Sequence, residues 1–439
     1  MYNIASKQGE ILKKVKKFFS RESQIDNEIS LSDYYYFCSW SDNFGNWCLK
    51  NFVIKNKNFF EEIRSYIKFV IETSLRDTFQ FETLENSTKK KYKNLIVTYS
   101  NFKNLKKKKL FDNYFATEIT ESNKTLWIII NVDKQNSFRS QKNIIIIQKK
   151  EKISLLQPTF YFSLLKNFFL ILFFKKKIID KIFFNHLKTT FKNILKNNKI
   201  KKTFIPYESQ PHQHAIIKIL KEYNDNIEII GSLHSSLTPL PTDFIYKKKF
   251  EPDKLIVSGA LQKKILEKYL GWPKDRLFIK NSFRYQKSKK SKFSNKVYLS
   301  YSIGNPLKTF SKIEYLINEI LKINFSFKII NHPIMEKSSS HTKLLNLLKK
   351  NFNNHKYLKK KNKETIVIGV SAIILEILEN GKDVFHICDN PLFEAHSSMI
   401  WEKINVKKLE NGIYHYSLKH RRSIIKFGSK NLFKKTFDI

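Results

Sequence analysis

Three short stretches carry residue types that can do chemistry together. Residues 330–335, Ile-Asn-His-Pro-Ile-Met, follow the apolar positions Phe325, Phe327, Ile329 and Ile330 and put His332 and Pro333 where a buried strand gives way to a loop. Proline offers no N–H to a ladder and biases the residue before it to extended backbone, so the pair belongs at a strand's C-terminal rim. An imidazole there, with an ordinary pKa near about 6.5, can donate to a phosphate or protonate a leaving group. In Thr-Ile-Val-Ile-Gly-Val-Ser-Ala-Ile-Ile-Leu-Glu, residues 365–376, a strand runs into Gly369 and Ser371, and a helix then starts with Ser371 at or near its N-cap and Ala372 behind it. Free N–H groups and the positive end of the helix dipole suit an anion at such a start. Glu376 falls about one and a half turns into that helix. The third stretch, Tyr207-Glu-Ser-Gln-Pro-His-Gln-His214, ends a strand and opens a loop bearing Glu208, His212 and His214. A carboxylate at a strand's end is placed to take a proton from a hydroxyl. Each stretch also has an ordinary structural counterpart: a plain strand end, a capped helix, or a carboxylate paired with one of many lysines.

Two imidazoles at i, i+2 raise a metal reading for His212 and His214. A third ligand would have to come from His234 or a carboxylate, and neither an H-E-x-x-H pattern nor a cysteine ligand accompanies them, so no metal and no cofactor are expected. His234, followed by Ser235 in Gly-Ser-Leu-His-Ser-Ser, fits a cleft lining better.

The elements that must position these residues are short continuous apolar runs: 94–99, 125–132, 143–148 and 202–207 in the first half, then 254–259, 276–281, 297–302, 325–333, 365–370 and 383–388. Helical patterns separate many of them, as expected for strands buried on both faces of a parallel sheet. The fold class is α/β, with two doubly wound, Rossmann-like domains facing a cleft and ligands outside the carboxyl ends of the strands. Residues 1–284 form the first domain. The polar, Lys/Ser-rich spacer 285–296 is the linker and 297–439 the second domain. Gly304, in the loop after the first strand of that domain, joins the expected anion-binding set. The aromatic-rich residues 37–48 read as either a platform for an acceptor or a packed corner.

Lys and Arg outnumber Asp and Glu by 81 to 39, a net charge of +42. Such a surface attracts nucleic acid, anionic lipid or phosphorylated substrates. The lysines are scattered through a chain also rich in Asn, Ile and Phe, as compositional drift would leave them, and no RRM, KH or zinc-knuckle pattern is present. A nucleic-acid partner is therefore not expected. Three cysteines, Cys38, Cys48 and Cys388, with no C-x-x-C fit a reducing, cytoplasmic setting. The most apolar stretch, 160–174, is interrupted by Lys166 and Asn167 and is shorter than the roughly 20 residues of a membrane span. It reads as a buried or interfacial helix, and the lysines at 175–177 could rest on anionic lipid at the inner membrane.

The His332–Pro333 pair after a second-half strand, followed by a strand–Ser371–helix element with Glu376, resembles the donor site of GT-B glycosyltransferases that use cytidine-monophosphate sugars. These are the bacterial sialyltransferases, polysialyltransferases and capsule Kdo transferases. The resemblance covers roughly residues 295–400. The stretch around Tyr207–Gln210, extended by residues 231–246, resembles bacterial surface-carbohydrate biosynthesis proteins. It implies a metal-independent, inverting transfer of a sugar to a glycan or lipid-linked glycan. His332 and Ser371 would hold the nucleotide phosphate, Glu208 would act as base, and His212, His214, His234 and Ser235 would line the acceptor side. Where several of those families carry a second hydroxyl, this chain has Ala372. A CDP-alcohol phosphotransferase of teichoic-acid type shares the design and stays open as an alternative, as does, from another class, a nucleic-acid-binding protein driven by basic charge.

Overall fold

The computed structural model describes residues 4–25, 79–85, 92–100, 110–131, 142–152, 181–248, 250–288, 292–300, 304–323, 327–331, 339–352, 364–419 and 424–437, with isolated helical positions between 158 and 169. His332, Pro333, Cys38, Cys48 and the aromatic stretch 37–48 lie outside the described residues.

The fold is mixed α/β, built on two sheets in which parallel pairing dominates. Helix α1 (Ile4–Ile25) precedes the first sheet, whose strands are β1 (Phe79–Glu85), β2 (Asn94–Ser100), β5 (Thr125–Asn131), β6 (Ile144–Lys152), β7 (Lys202–Tyr207), β8 (Glu228–Leu233), β9 (Lys254–Val257) and β10 (Leu277–Ile279). A small hairpin, β3 (Phe111–Asp112) and β4 (Thr117–Glu118), stands apart from it. The spatial order is β1-β6-β5-β2-β7-β8-β9-β10, parallel throughout except for the antiparallel edge strand β1. From β2 the chain builds outward through β5 to β6, then returns to the other side of β2 with β7. The order therefore reverses between β2 and β7, and in open α/β sheets such a switch point is where ligands bind, outside the carboxyl ends of the strands. Leu95, Ile96 and Val97 show why the run around 94–99 makes a central strand: successive side chains point to opposite faces, yet none is solvent-exposed.

Helices α2 (Lys181–Asn197), α3 (Pro211–Tyr223) and α4 (Ala260–Leu270) belong to this first half. The second sheet has β11 (Lys296–Leu299), β12 (Lys328–Ile330), β13 (Thr365–Ile368) and β14 (Val384–Ile387) in the parallel order β12-β11-β13-β14. Its helices are α5 (Pro306–Tyr315), which runs on as a π-helical segment Leu316–Leu321, α6 (Ser339–Phe352), α7 (Ile373–Glu379) and α8 (Pro391–Glu394). A hairpin of β15 (Ile404–Glu410) and β16 (Ile413–Leu418) extends the sheet antiparallel beside β14. The expected strands stop at 388, although Asn411–Gly412 in this turn, with Gly412 at φ 81°, is a hairpin signal in the sequence.

One continuous cluster of buried side chains runs from Leu95 and Val97 in the first sheet to Val367, Ile374 and Trp401 in the second. Polar ties cross the same seam. The indole N–H of Trp401 donates to Pro239 O at 3.0 Å, and the amide of Gln8 on α1 donates to Leu392 O and Ala395 O at 2.9 and 2.8 Å. The tail after Ile424, which the division at 285–296 assigns to the second half, returns to the first sheet. Lys426 N donates to Ser258 O at 2.5 Å. The last helix, α9 (Leu432–Phe437), stacks Phe433 on Phe115 with ring centroids 4.1 Å apart, and Phe204 and Phe283 lie within 5.6 Å. An apolar edge of that helix finds its partners there because the outer face of the first sheet offers the aromatic surface.

Candidate functional site

Glu208 follows β7 at the point where the first sheet's order reverses, and the local sequence explains how it is held out. Tyr207 is fully buried, Ser209 takes a left-handed backbone (φ 55°), and Pro211 starts α3 at a position where a missing N–H costs nothing. Gln213 then reaches back. Its Oε1 accepts from Glu208 N and Gln210 N at 2.9 and 3.0 Å, and its amide donates to Pro206 O at 2.6 Å. One side chain thus fixes the whole turn, and Glu208 is left half-buried at its crest.

Ser235, from the loop after β8, hydrogen-bonds the Glu208 carboxylate. Burial raises the Glu208 pKa, and the Ser235 bond and the Arg284 guanidinium pull against that rise. Arg284, a few residues beyond β10, donates from Nη1 to His234 Nε2 at 2.9 Å. That bond makes Nε2 the acceptor, so Nδ1 carries the ring proton and faces Tyr114 O at 3.3 Å. Burial, then Arg284, depress the pKa of His234, consistent with this neutral tautomer. His234 packs on Tyr114 at 4.2 Å, and Tyr99 meets both Tyr114 (5.6 Å) and His212 (4.9 Å) edge-on. Burial holds His212 down at about 4 and, with Glu208 and Asp112, lifts the Tyr114 phenol to about 12.

Arg284 also feels charge from the side of the second sheet. Burial disfavours its charge, but Tyr285, Glu208 and Glu376 more than restore it, so its pKa stands above the ordinary arginine value. Glu376, on α7 beyond β13, lies 3.7 Å from Lys292 and has its pKa raised by burial, with Lys292 and Arg284 opposing. The Arg284 guanidinium therefore lies within electrostatic range of carboxylates on the carboxyl-end side of both sheets. This arrangement can accept a proton at Glu208 and hold an anion against Arg284 and Lys292.

The structure brings Glu208, His212, His234 and Ser235 together, and Glu376 is linked to them through the charge of Arg284. His214 is not among them. It is 2% exposed, in a buried network with Tyr207 (2.9 Å), Ser209 (3.2 Å) and Glu251 (3.7 Å) beside the first sheet. Two residues on α3 two positions apart point about 200° away from each other, so His212 and His214 cannot grip one ion. Among the described residues no group of three or more His, Cys, Asp or Glu side chains is arranged to hold a metal.

Gly369 sits at φ 74°, but its N–H donates to Ile387 O at 2.8 Å and its carbonyl accepts from His386 Nε2 at 3.0 Å. Its backbone groups are thus spent on β14 rather than offered to a ligand, which corrects its expected role as an anion donor. Ser371 lies just ahead of Ala372, the N-cap of the seven-residue α7, and its Oγ accepts from Ile373 N at 3.4 Å, which leaves the hydroxyl proton free to be donated. Gly304 is exposed and packs against the Asp389 carboxylate, where a Cβ would come within 2.9 Å of Oδ2.

Arg284, Lys292, Tyr99 and Tyr114 escape sequence reasoning. Arg284 left one trace: it is one of only eight arginines among 81 basic residues, and a lysine-biased chain that keeps an arginine at a strand exit invites a bidentate role. Against models of known protein families and against characterised proteins the sequence shows no match.

Proposed function

We propose that the protein is a glycosyltransferase of GT-B type, with two Rossmann-like, doubly wound domains facing a cleft, a nucleotide-activated sugar on the second and a glycan or lipid-linked glycan acceptor on the first. The observation that carries this reading is the Arg284 guanidinium, whose charge is felt both by Glu208 at the reversal point of the first sheet and by Glu376 beyond β13 of the second. In this reading Glu208 takes the proton of an acceptor hydroxyl as its oxygen attacks the anomeric carbon. The bond from that carbon to the donor phosphate breaks, and the nucleotide leaves with the bonding pair. The leaving charge is met by Arg284, Lys292, the Ser371 hydroxyl and His332. A half-buried carboxylate whose pKa is raised by desolvation is a stronger base than an ordinary surface one, and Ser235 keeps it oriented. A cytidine-monophosphate donor and inversion at the anomeric carbon follow from the family resemblance.

A thermal-shift titration with CMP, CDP, UDP, GDP and AMP in EDTA tests the donor assignment, with Arg284→Gln and His332→Ala alongside the parent. A ligand that binds only the folded protein at a hundredfold excess over Kd adds about 2.7 kcal/mol of stability. Stabilisation by a cytidine nucleotide that weakens in both variants supports the reading. An equal response in the variants, or none to any nucleotide, defeats it. Activity of parent against Glu208→Gln on a CMP-sugar then tests the base.

A further inference from the structure

Four aromatic rings from four separate elements converge beside Glu208. Tyr99 lies one residue before the end of β2. Counting on from the paired residues Ile96 and Phe204, it comes level with Tyr207, one position short of Glu208. Tyr114 reaches the same end of the sheet from the turn of the β3–β4 hairpin, and that turn is tied down. Thr98 of β2 donates to Asp112 Oδ1 at 2.5 Å and Phe115 N donates to Oδ2 at 2.6 Å, with Asp112 only 3% exposed. His212 comes from α3 and His234 from the loop after β8. Ser235, next to His234, hydrogen-bonds the Glu208 carboxylate, whose charge also reaches Tyr99 and Tyr114. Tyr114, His212 and His234 are half-buried, so ring surface stays accessible beside the carboxylate, and burial keeps both imidazoles uncharged.

We propose that this wall seats a pyranose ring, with Tyr114 as the residue that selects for it. Resting on the reading above, the C–H-rich face of the acceptor's terminal sugar packs on Tyr114 while the hydroxyl to be glycosylated points at Glu208. The electron-rich face of an aromatic ring attracts weakly positive C–H groups, and a tyrosine offers that face with little rotamer freedom to lose. The tilts of the rings argue against a flat ligand such as a nucleobase, which is held best in a slot between stacked side chains. Tyr99 meets Tyr114 at 65° and His212 at 74°, and Tyr114 meets His234 at 42°, so none of these contacts makes such a slot. One apolar wall edged by Glu208, Ser235 and Arg284 suits a ligand with one C–H-rich face and a rim of hydroxyls. A glycerol phosphate acceptor of teichoic type has no ring to stack, so the wall also separates the transferase reading from its phosphotransferase alternative.

The test is a microarray of defined hexose, N-acetylhexosamine and uronic acid oligosaccharides, with poly(glycerol phosphate) as the ringless control. It is probed with the full chain in EDTA at about 0.5 M NaCl, so that the basic surface does not hold acidic glycans by charge alone. The parent is compared with Tyr114→Phe, which keeps the ring, with Tyr114→Leu, which keeps bulk without it, and with His212→Leu on α3. Melting temperatures show whether each is folded, and if the hairpin does not tolerate leucine, His212→Leu carries the comparison from a different element. The parent should retain a saccharide above the control, Tyr114→Phe should stay within about twofold of it, and the leucine variants should lose at least about fivefold. Retention of no saccharide overturns the proposal, as does equal retention of poly(glycerol phosphate) or equal binding by folded leucine variants. A loss in Tyr114→Phe as large as in Tyr114→Leu would trace binding to the phenol hydroxyl and overturns the stacking. No nucleotide enters this assay. Its failure beside an intact cytidine response removes the wall and leaves the transferase reading, and failure of the nucleotide titration beside saccharide binding removes the donor assignment and leaves the wall.

Discussion

Replacement of Gly259 by alanine tests the seam between the two sheets. Gly259 precedes α4 with extended backbone (φ −157°), so the substitution carries no conformational strain of its own. The difficulty is space. A Cβ there would sit inside van der Waals contact of the Ile424 carbonyl and 3.1 Å from Ile424 Cα. The tail cannot simply retreat: Ile424 and Ile425 are fully buried, and their N–H groups donate to Glu379 Oε1 at 2.5 and 3.1 Å. To admit the methyl group, the tail must give up the Lys426 N bond to Ser258 O and loosen the Ser282 N bond to Lys426 O. Each buried backbone group left unpaired costs about 1–3 kcal/mol, so about 3–5 kcal/mol is expected. Unfolding entropy near 2.1 cal/mol/K per residue over a cooperative unit of about 400 residues turns this into a Tm lower by about 4–6 °C. Gly304→Ala is the control. Its new methyl group meets only the end of the Asp389 side chain, at 2.9 Å, and should cost about 1 kcal/mol or less. Differential scanning calorimetry of the three proteins decides. If Gly259→Ala melts within a degree of the parent, the tail is not the tie described.

Truncating the tail's anchor, Phe433→Ala, should cost about 3–5 kcal/mol, because the ring is 1% exposed among Phe115, Phe204 and Phe283; chemical denaturation reads it, and a loss under about 1 kcal/mol would speak against the stacked arrangement. Burial raises the Glu251 carboxyl to about 7, so its contribution to stability is fully present below the unfolded pKa, near about 4.5, and is lost as pH rises through about 7. Tm measured between about pH 5 and 8.5 should accordingly fall less in Glu251→Gln than in the parent, and parallel curves would refute the assignment. Arg284→Gln removes a cation that opposes protonation of Glu208, so Glu208 should stay protonated to higher pH. Carbodiimide labelling of Glu208 followed across pH by peptide mass spectrometry should then extend to higher pH in the variant, and an unchanged profile would remove Arg284 from the role described.

The amino-acid sequence by itself determined the alternation of strand and helix, because strands buried on both faces read as unbroken apolar runs whatever their neighbours. The strands at 94–100, 202–207 and 365–368 needed no tertiary knowledge. It also determined the turn at Tyr207–Gln213, where a proline, two glutamines and a serine able to adopt positive φ fix the backbone within seven residues and put Glu208 at a strand's end. The tertiary structure alone decided the order of the strands, the inward turn of His214 beside His212, the return of Phe433 to the first sheet, and the placing of Glu208 and Glu376 within electrostatic range of Arg284. Periodicity records that a side chain is buried but not what buries it, and a charge's neighbour in space lies dozens of positions away in the chain. Those pairings are set by which sheet edges and helix faces remain to be covered once the local elements have formed.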